Sequence, residues 1–190
     1  MRMTDGPQDR ALVVGIGGSP GPESVTGRLL RDCLTLLEKA GARTELFDGD
    51  RLAELPIFTT HGIAPNPTSD ALVDAVRRAD AVVIATPGYH GAMSGLVKNA
   101  LDHLESLRGD ERPYLDGRAV GAIVCSAGWQ ACGTALVSVR SAVHALRGWP
   151  TPFGVTVNSA EQQPDDPRVV GGLQILADQL MQFTDWQRAR

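Results

Sequence analysis

The stretch Gly17-Gly18-Ser19-Pro20-Gly21-Pro22-Glu23-Ser24-Val25-Thr26-Gly27 joins backbone-permissive glycines to three hydroxyls, on Ser19, Ser24 and Thr26, just where an apolar helical periodicity begins. Free N–H groups at a helix amino terminus, helped by hydroxyl donors, form a cradle for an anion. With no Lys or Arg in the stretch, the fitting anion is a single terminal phosphomonoester, held by the helix dipole and hydrogen bonds rather than by countercharge. The two common nucleotide loops are absent. A GxGxxG from Gly15 would need glycine where Pro20 stands, and no GKS or GKT occurs. The plainer alternative is a loop that only turns a strand into a helix, and these residues alone leave both readings open.

Two further stretches have the same character. Thr86-Pro87-Gly88-Tyr89-His90-Gly91-Ala92-Met93-Ser94-Gly95 places an aromatic between glycines, so that main-chain N–H groups can approach a flat ring edge. Taken singly, Tyr89 and His90 are more often packing or surface residues than ligands. Ser126-Ala127-Gly128-Trp129-Gln130-Ala131-Cys132-Gly133 again sets small residues before a helix, with Trp129 able either to cover an aromatic ligand or to pack the loop onto a neighbouring helix.

The elements between these loops follow from periodicity. ALVVGIG (11 to 17) is an unbroken apolar run, as expected of a strand buried on both faces. Period 3.6 from Val25, with Ser24 as N-cap and Gly41 as terminator, predicts the first helix. Strands are expected at 43 to 48, 79 to 87, 118 to 126 and near 151 to 157. Helices are expected at 69 to 78, through Met93, Leu96, Val97, Ala100, Leu101 and Leu104, through Ala135 to Leu146, and from 166 to 187. The helix after the second loop carries Lys98, Asn99, Asp102 and His103 on its other face. Five strands alternating with five helices predict a parallel α/β sheet with helices on both faces, and a ligand crevice at the carboxyl ends of the strands, where the three loops meet. Two longer loops, 49 to 68 and 105 to 117, are the kind that are functional or disordered.

Composition bounds the remaining choices. The chain has 190 residues, 18 basic against 22 acidic, and a formal charge of −4, which suits one soluble domain over 1 to 190 with a flexible leader at 1 to 10. No basic stripe is present for a nucleic-acid backbone, and no apolar run approaches the ~20 residues of a membrane helix. Cys33, Cys125 and Cys132 form no CxxC pair, and His61, His90, His103 and His144 lie far apart, so no metal site is expected and a reducing cytoplasm is.

These motifs resemble the NADPH-dependent FMN reductase family over about residues 11 to 158. Gly18-Ser19 with Ser24 and Thr26 is similar to the family's Ser-rich phosphate loop, with Pro20 in place of Arg and Thr26 in place of Asn. ATPGYHGAMSGLVKNALDHL (85 to 104) is similar to its PEYNG…PGxLKNAxDW signature. Pro87, Tyr89, Gly91, Gly95, Lys98, Asn99, Ala100 and Asp102 match it; Gly88, His90, Ser94 and His103 depart. CSAGWQACG loosely matches its SxGGxxG loop, and Leu55-Pro56 stands where members carry a Leu-Pro pair in the loop over the site.

The resemblance implies a flavodoxin-like three-layer fold with strand order 2-1-3-4-5, and FMN with NADPH or NADH as co-substrate. It implies flavin contacts from Ser19, Ser24, Thr26, Pro87, Gly88, Tyr89, His90, Gly91, Ser126, Gly128 and Trp129. Its expected activity is reduction of FMN and onward transfer to a partner monooxygenase or to a quinone or azo acceptor, in a homodimer or homotetramer. Because the flavin carries the difficult step, no catalytic side chain is expected. Two alternatives remain at this level. One is a flavodoxin-type electron carrier, disfavoured by the modest charge; the other is a specialised biosynthetic flavoenzyme, suggested by His90 and Trp129.

Overall fold

The computed structural model describes residues 10–61 and 65–189. Of the expected leader at 1 to 10, all but Arg10 lies outside the described residues. In chain order the elements are β1 (Leu12–Gly17), α1 (Val25–Lys39), β2 (Arg43–Phe47), α2 (Gly49–Ala53), α3 (Pro67–Arg78), β3 (Ala81–Tyr89), β4 (Ala92–Met93) and α4 (Gly95–His103). A 3₁₀ turn (Leu104–Leu107) follows, then β5 (Ala119–Ser126), α5 (Trp129–Ala145), β6 (Trp149–Pro150), β7 (Val155–Asn158) and α6 (Pro167–Arg188).

All six residues of β1 are buried, which only a strand with neighbours on both sides and helices on both faces can achieve. It pairs in parallel with β2 and β3, and β3 pairs in parallel with β5. The order is β2-β1-β3-β5, with β6 and β7 both on the outer edge of β5. That is the expected 2-1-3-4-5 arrangement with its last strand broken in two. The break falls at Thr151–Gly154, where Pro152 has no N–H for the ladder and the Thr151 hydroxyl donates to the Phe153 carbonyl at 2.8 Å.

One face of the sheet is covered by α1 and α6, through buried Leu29, Leu30, Leu37, Leu173, Leu176 and Leu180. Gly15 and Gly121 let these helices approach closely, since a Cβ would stand 2.8 Å from Leu34 Cδ1 at the first and 3.1 Å from Leu176 Cδ1 at the second. The other face carries α3, α4 and α5, through Leu72, Val76, Val97, Leu101 and Val139.

The two long loops part company. The first contains α2, capped by Asp48, whose carboxylate accepts from Arg51 N at 3.0 Å. The second runs to the amino end of β5, away from the crevice, and is fastened by Arg118. The guanidinium of this fully buried residue donates to the carbonyls of Arg77 (2.7 Å), Ala79 (3.1 Å), Asp116 (3.1 Å) and Tyr114 (3.2 Å). It thereby satisfies the carboxyl end of α3. Burial, with the neighbouring Arg112 charge adding to it, lowers the Arg118 pKa to about 10.

Candidate active site at the carboxyl ends of the strands

The loop after β1 is held to the loop's own helix and to β3 by main-chain contacts. Gly17 has φ +135°, and a Cβ there would lie 1.8 Å from the Ala85 carbonyl oxygen. Gly18 N–H donates to that same oxygen at 3.0 Å. Ser24 caps α1 as expected. Its Oγ accepts from Gly27 N at 3.0 Å and from Ser19 N at 3.1 Å, and it is 2.8 Å from Ser19 Oγ. Thr26 is placed differently from Ser19 and Ser24. It is 3 % exposed, and its hydroxyl comes within hydrogen-bonding reach of the Cys125 thiol. Among the described residues the N–H groups of Val25 and Thr26, at the first turn of α1, have no hydrogen-bond partner. They are the donors an anion would meet.

A second wall of this cradle was not legible from spacing. The amino end of α2 packs against it so tightly that a Cβ on Gly49 would lie 2.3 Å from Ser19 C, and Asp50 Oδ1 accepts from Gly21 N at 2.9 Å.

The loop after β3 is a hairpin. His90 (φ +52°) and Gly91 (φ +82°) are both left-handed and connect paired Tyr89 and Ala92, the geometry of a two-residue type I′ turn. His is among the residues that tolerate this region. The hairpin is locked to α4 by Ser94, which caps that helix through Val97 N (3.2 Å) while its own N–H donates to Thr86 Oγ1 at 2.9 Å. Pro87 is buried in the β3–β5 ladder, and Tyr89 is half exposed at the end of the strand.

The loop after β5 joins the same place. Ser126 Oγ donates to the Gly88 carbonyl at 3.0 Å, and a Cβ on Gly88 would stand 2.1 Å from that oxygen. Gly128 precedes α5, whose amino end has no side-chain cap. Trp129 is the first residue of α5 rather than part of the loop. Its indole N–H donates to Glu161 Oε2 at 2.9 Å, Glu161 in turn accepts from Asn158 Nδ2 at 2.8 Å, and Trp129 remains half exposed. Neither expectation for this ring was complete, because its partner is a carboxylate from the segment after β7.

Of the four polar residues expected on the other face of α4, Lys98 and Asp102 form an exposed i,i+4 ion pair at 2.6 Å, whereas His103 is buried. Asn99 and His103 instead hold the loop after α2. Asn99 Oδ1 accepts from Phe58 N at 2.9 Å and its Nδ2 donates to the Pro56 carbonyl at 3.0 Å. His103 Nε2 donates to that carbonyl at 2.9 Å. None of the three thiols has acidic character. Burial pushes Cys33 up to about 12 and raises Cys125 and Cys132.

Three strand-end loops knitted together by main-chain contacts, with an anion cradle on one side and an aromatic-flanked opening on the other, are what a phosphorylated flat-ring cofactor requires. The sequence matches the NADPH-dependent FMN reductase family over residues 11–162. The chain belongs to that family. Membership carries the reaction class, an NAD(P)H-dependent oxidoreductase that uses FMN. The chain is 28% identical over 151 residues to an FMN-dependent NADPH-azoreductase of Staphylococcus aureus, covering 76% of this chain and 75% of that one. Among solved structures, an oxidoreductase from Corynebacterium diphtheriae superposes with a TM-score of 0.76 at 14% identity, over 93% of this chain and 98% of that one. An NADH:FMN oxidoreductase in its apo form superposes with a TM-score of 0.70 at 21% identity, over 93% and 89%. These superpositions establish the fold. No helix among the described residues is long and apolar enough to cross a membrane.

Proposed function

We propose that this FMN reductase binds its cofactor across the three loops and passes electrons to a flat small-molecule acceptor of the quinone or azo type, or to a partner monooxygenase. The observation that carries this reading is the knitting of the loops. Gly17 and Gly88 stand where any side chain would collide with Ala85 or Ser126, so the space above the strand ends is bounded by backbone. A planar ring edge needs that kind of boundary.

The residues fit FMN. The Val25 and Thr26 N–H groups and the Ser19 hydroxyl would hold the phosphate at the positive end of α1, and Ser24 keeps the loop in shape for it. Main chain at Gly88–Gly91 would meet the pyrimidine edge, where fixed donors stabilise developing negative charge without reorganisation. Tyr89 and Trp129 would flank the ring, and Ser126 and Gly128 would border it. Bound there, FMN supplies the ability to take an electron pair from a nicotinamide and give it up again. The chain orients the ring, limits water and leaves one face open; no side-chain acid, base or nucleophile is assigned. The clamp from Asn99 and His103 sets the height of the Pro56–Phe58 loop, whose Ile57 is 80% exposed and would contact the acceptor.

Free buried thiols suit a reducing, cytoplasmic setting. We also infer a homo-oligomer, supported by the apolar groove between α4 and α5 around Met93, Lys98 and Ala142. The purified protein is expected to be yellow or to become so with FMN, and to oxidise NADPH or NADH aerobically. Neither flavin uptake nor nicotinamide oxidation would end the proposal. Sedimentation showing only a 20.2 kDa species would remove the oligomer.

A further inference from the structure

A second concave site lies at the other end of the sheet. Where β6 and the carboxyl half of α6 face each other, a cleft of roughly 510 Å³ is lined by Trp149, Pro150, Pro152, Phe183, Trp186 and Gln179, among others. Three of the nine aromatic residues of the chain gather here. Their rings form a row, Trp149 to Phe183 at 6.0 Å between centroids and Phe183 to Trp186 at 5.8 Å. Trp149 and Trp186 are 60% and 52% exposed. The broken edge strand creates the hollow, because Thr151–Gly154 leaves the ladder between β6 and β7.

Two features narrow the occupant. First, no charged residue lines the cleft; charge begins beyond Trp186, where Asp80, Arg112 and Arg188 border an adjoining recess. An ionic ligand would leave its hydration shell without compensation. Second, Gln179 presents a directed donor. Its Oε1 accepts from Phe153 N at 3.0 Å, which fixes the amide and leaves its Nε2 without a protein partner among the described residues. Volume, aromatic lining and a few polar groups, Gln179 together with Thr151 and Gln182, are the marks of a small-molecule pocket, for which about 300–1,000 Å³ is usual.

We propose that this cleft binds a flat, uncharged aromatic molecule of two or three rings, stacked on the Trp149–Phe183–Trp186 row with a carbonyl oxygen accepting from Gln179 Nε2. It is a binding site apart from the redox centre. Ala119, on its floor, begins the strand that ends at Ser126, roughly 20 Å away by strand rise.

The chain has three tryptophans, which gives the test its readout. With FMN present, coumarin is titrated into protein labelled with ¹⁵N-tryptophan. The indole resonances of Trp149 and Trp186 are expected to move together, Trp129 to stay, and naphthalene-1-sulfonate to move none. Trp186→Ala should weaken coumarin binding about tenfold and Gln179→Leu about threefold, with NADPH oxidation unchanged in both. The proposal falls if neither signal moves, if Trp129 moves instead, or if the sulfonate binds as well as coumarin. It also falls if Trp149 and Trp186 shift with protein concentration alone, which would make a second copy of the chain the occupant.

Discussion

The imidazole of His103 donates from Nε2 to the carbonyl of Pro56, 47 residues earlier in the chain, at 2.9 Å. A carbonyl only accepts, so the proton is on Nε2, and in the neutral ring Nδ1 is left to accept from the Ser69 hydroxyl at 2.8 Å. One fully buried ring thus ties α4 to α3 and to the loop over the site.

Removing this ring should loosen the loop before it unfolds the protein. His103→Leu is expected to cost about 1–3 kcal/mol in urea denaturation, because Ser69 and part of the Pro56 carbonyl lose their partner. Asn99→Ala should accelerate hydrogen exchange at the Phe58 amide, whose acceptor is Asn99 Oδ1. Unchanged exchange at Phe58 in that variant would mean the clamp does not hold the loop.

The hairpin turn sets the requirement at position 90. His90→Asn should leave stability unchanged or raise it by a few tenths of a kcal/mol, since Asn suits φ near +52°. His90→Val should cost about 1–2 kcal/mol, the β-branched side chain being a poor fit to the left-handed region. In kinetics, His90→Asn is expected to change relative kcat/KM between quinone and azo acceptors while FMN affinity stays within about twofold.

Contact between the second and third loops can be read by a double-mutant cycle. Gly88→Ala places a methyl where Ser126 Oγ sits, so FMN affinity should drop about tenfold and stability by about 1–3 kcal/mol. Adding Ser126→Ala should recover part of both losses, because the obstructing oxygen is gone. Strictly additive losses would show that the two residues do not meet.

Asp50 near the anion cradle acts against its own usefulness. Its carboxylate orders Gly21 but would repel a phosphate held at the first turn of α1. Asp50→Asn keeps an oxygen for Gly21 N, so FMN should bind roughly twofold more tightly, with the difference shrinking at high salt. A loss of affinity on this substitution would place the phosphate elsewhere.

The thiols give a pH dependence with a definite sign. Cys33 is pushed up to about 12 in the folded chain, chiefly by burial and secondarily by Asp32, from an ordinary value near 9. A folded value above the unfolded one means that the stabilisation is complete below about pH 9. It is lost as the pH rises toward 12, because the unfolded thiol loses its proton first. Urea midpoints should therefore fall above about pH 9, and Cys33→Ser should flatten that limb. At pH 8 a disulfide reagent should label none of the three cysteines until denaturant is added.

The alternation of apolar runs and helical stripes is enough to draw the three-layered path of the chain, and Ser24 announces its own cap. What escaped was decided at long range or over very few residues. The two-residue strand Ala92–Met93 is too short to show a period, although His90-Gly91 is a turn signal. The helix Gly49–Ala53 hid in a segment read as loop, and Pro152 split a strand that its apolar neighbours made look continuous. The apolar stripe of α4 groups Asn99 and His103 with Lys98 and Asp102 on the opposite face, and nothing in their spacing names Pro56 as a partner. The motif puts Trp129 in the third loop, yet its anchor, Glu161, belongs to a stretch with no motif of its own.

The boundary that Gly17 and Gly88 draw around the ring has a consequence for how such a protein can drift. Where main chain does the recognising, a substitution is screened by bulk and backbone shape rather than by chemical group. Lineages can therefore exchange most of the surrounding side chains, and with them the acceptor they serve, while the cofactor continues to see the same outline.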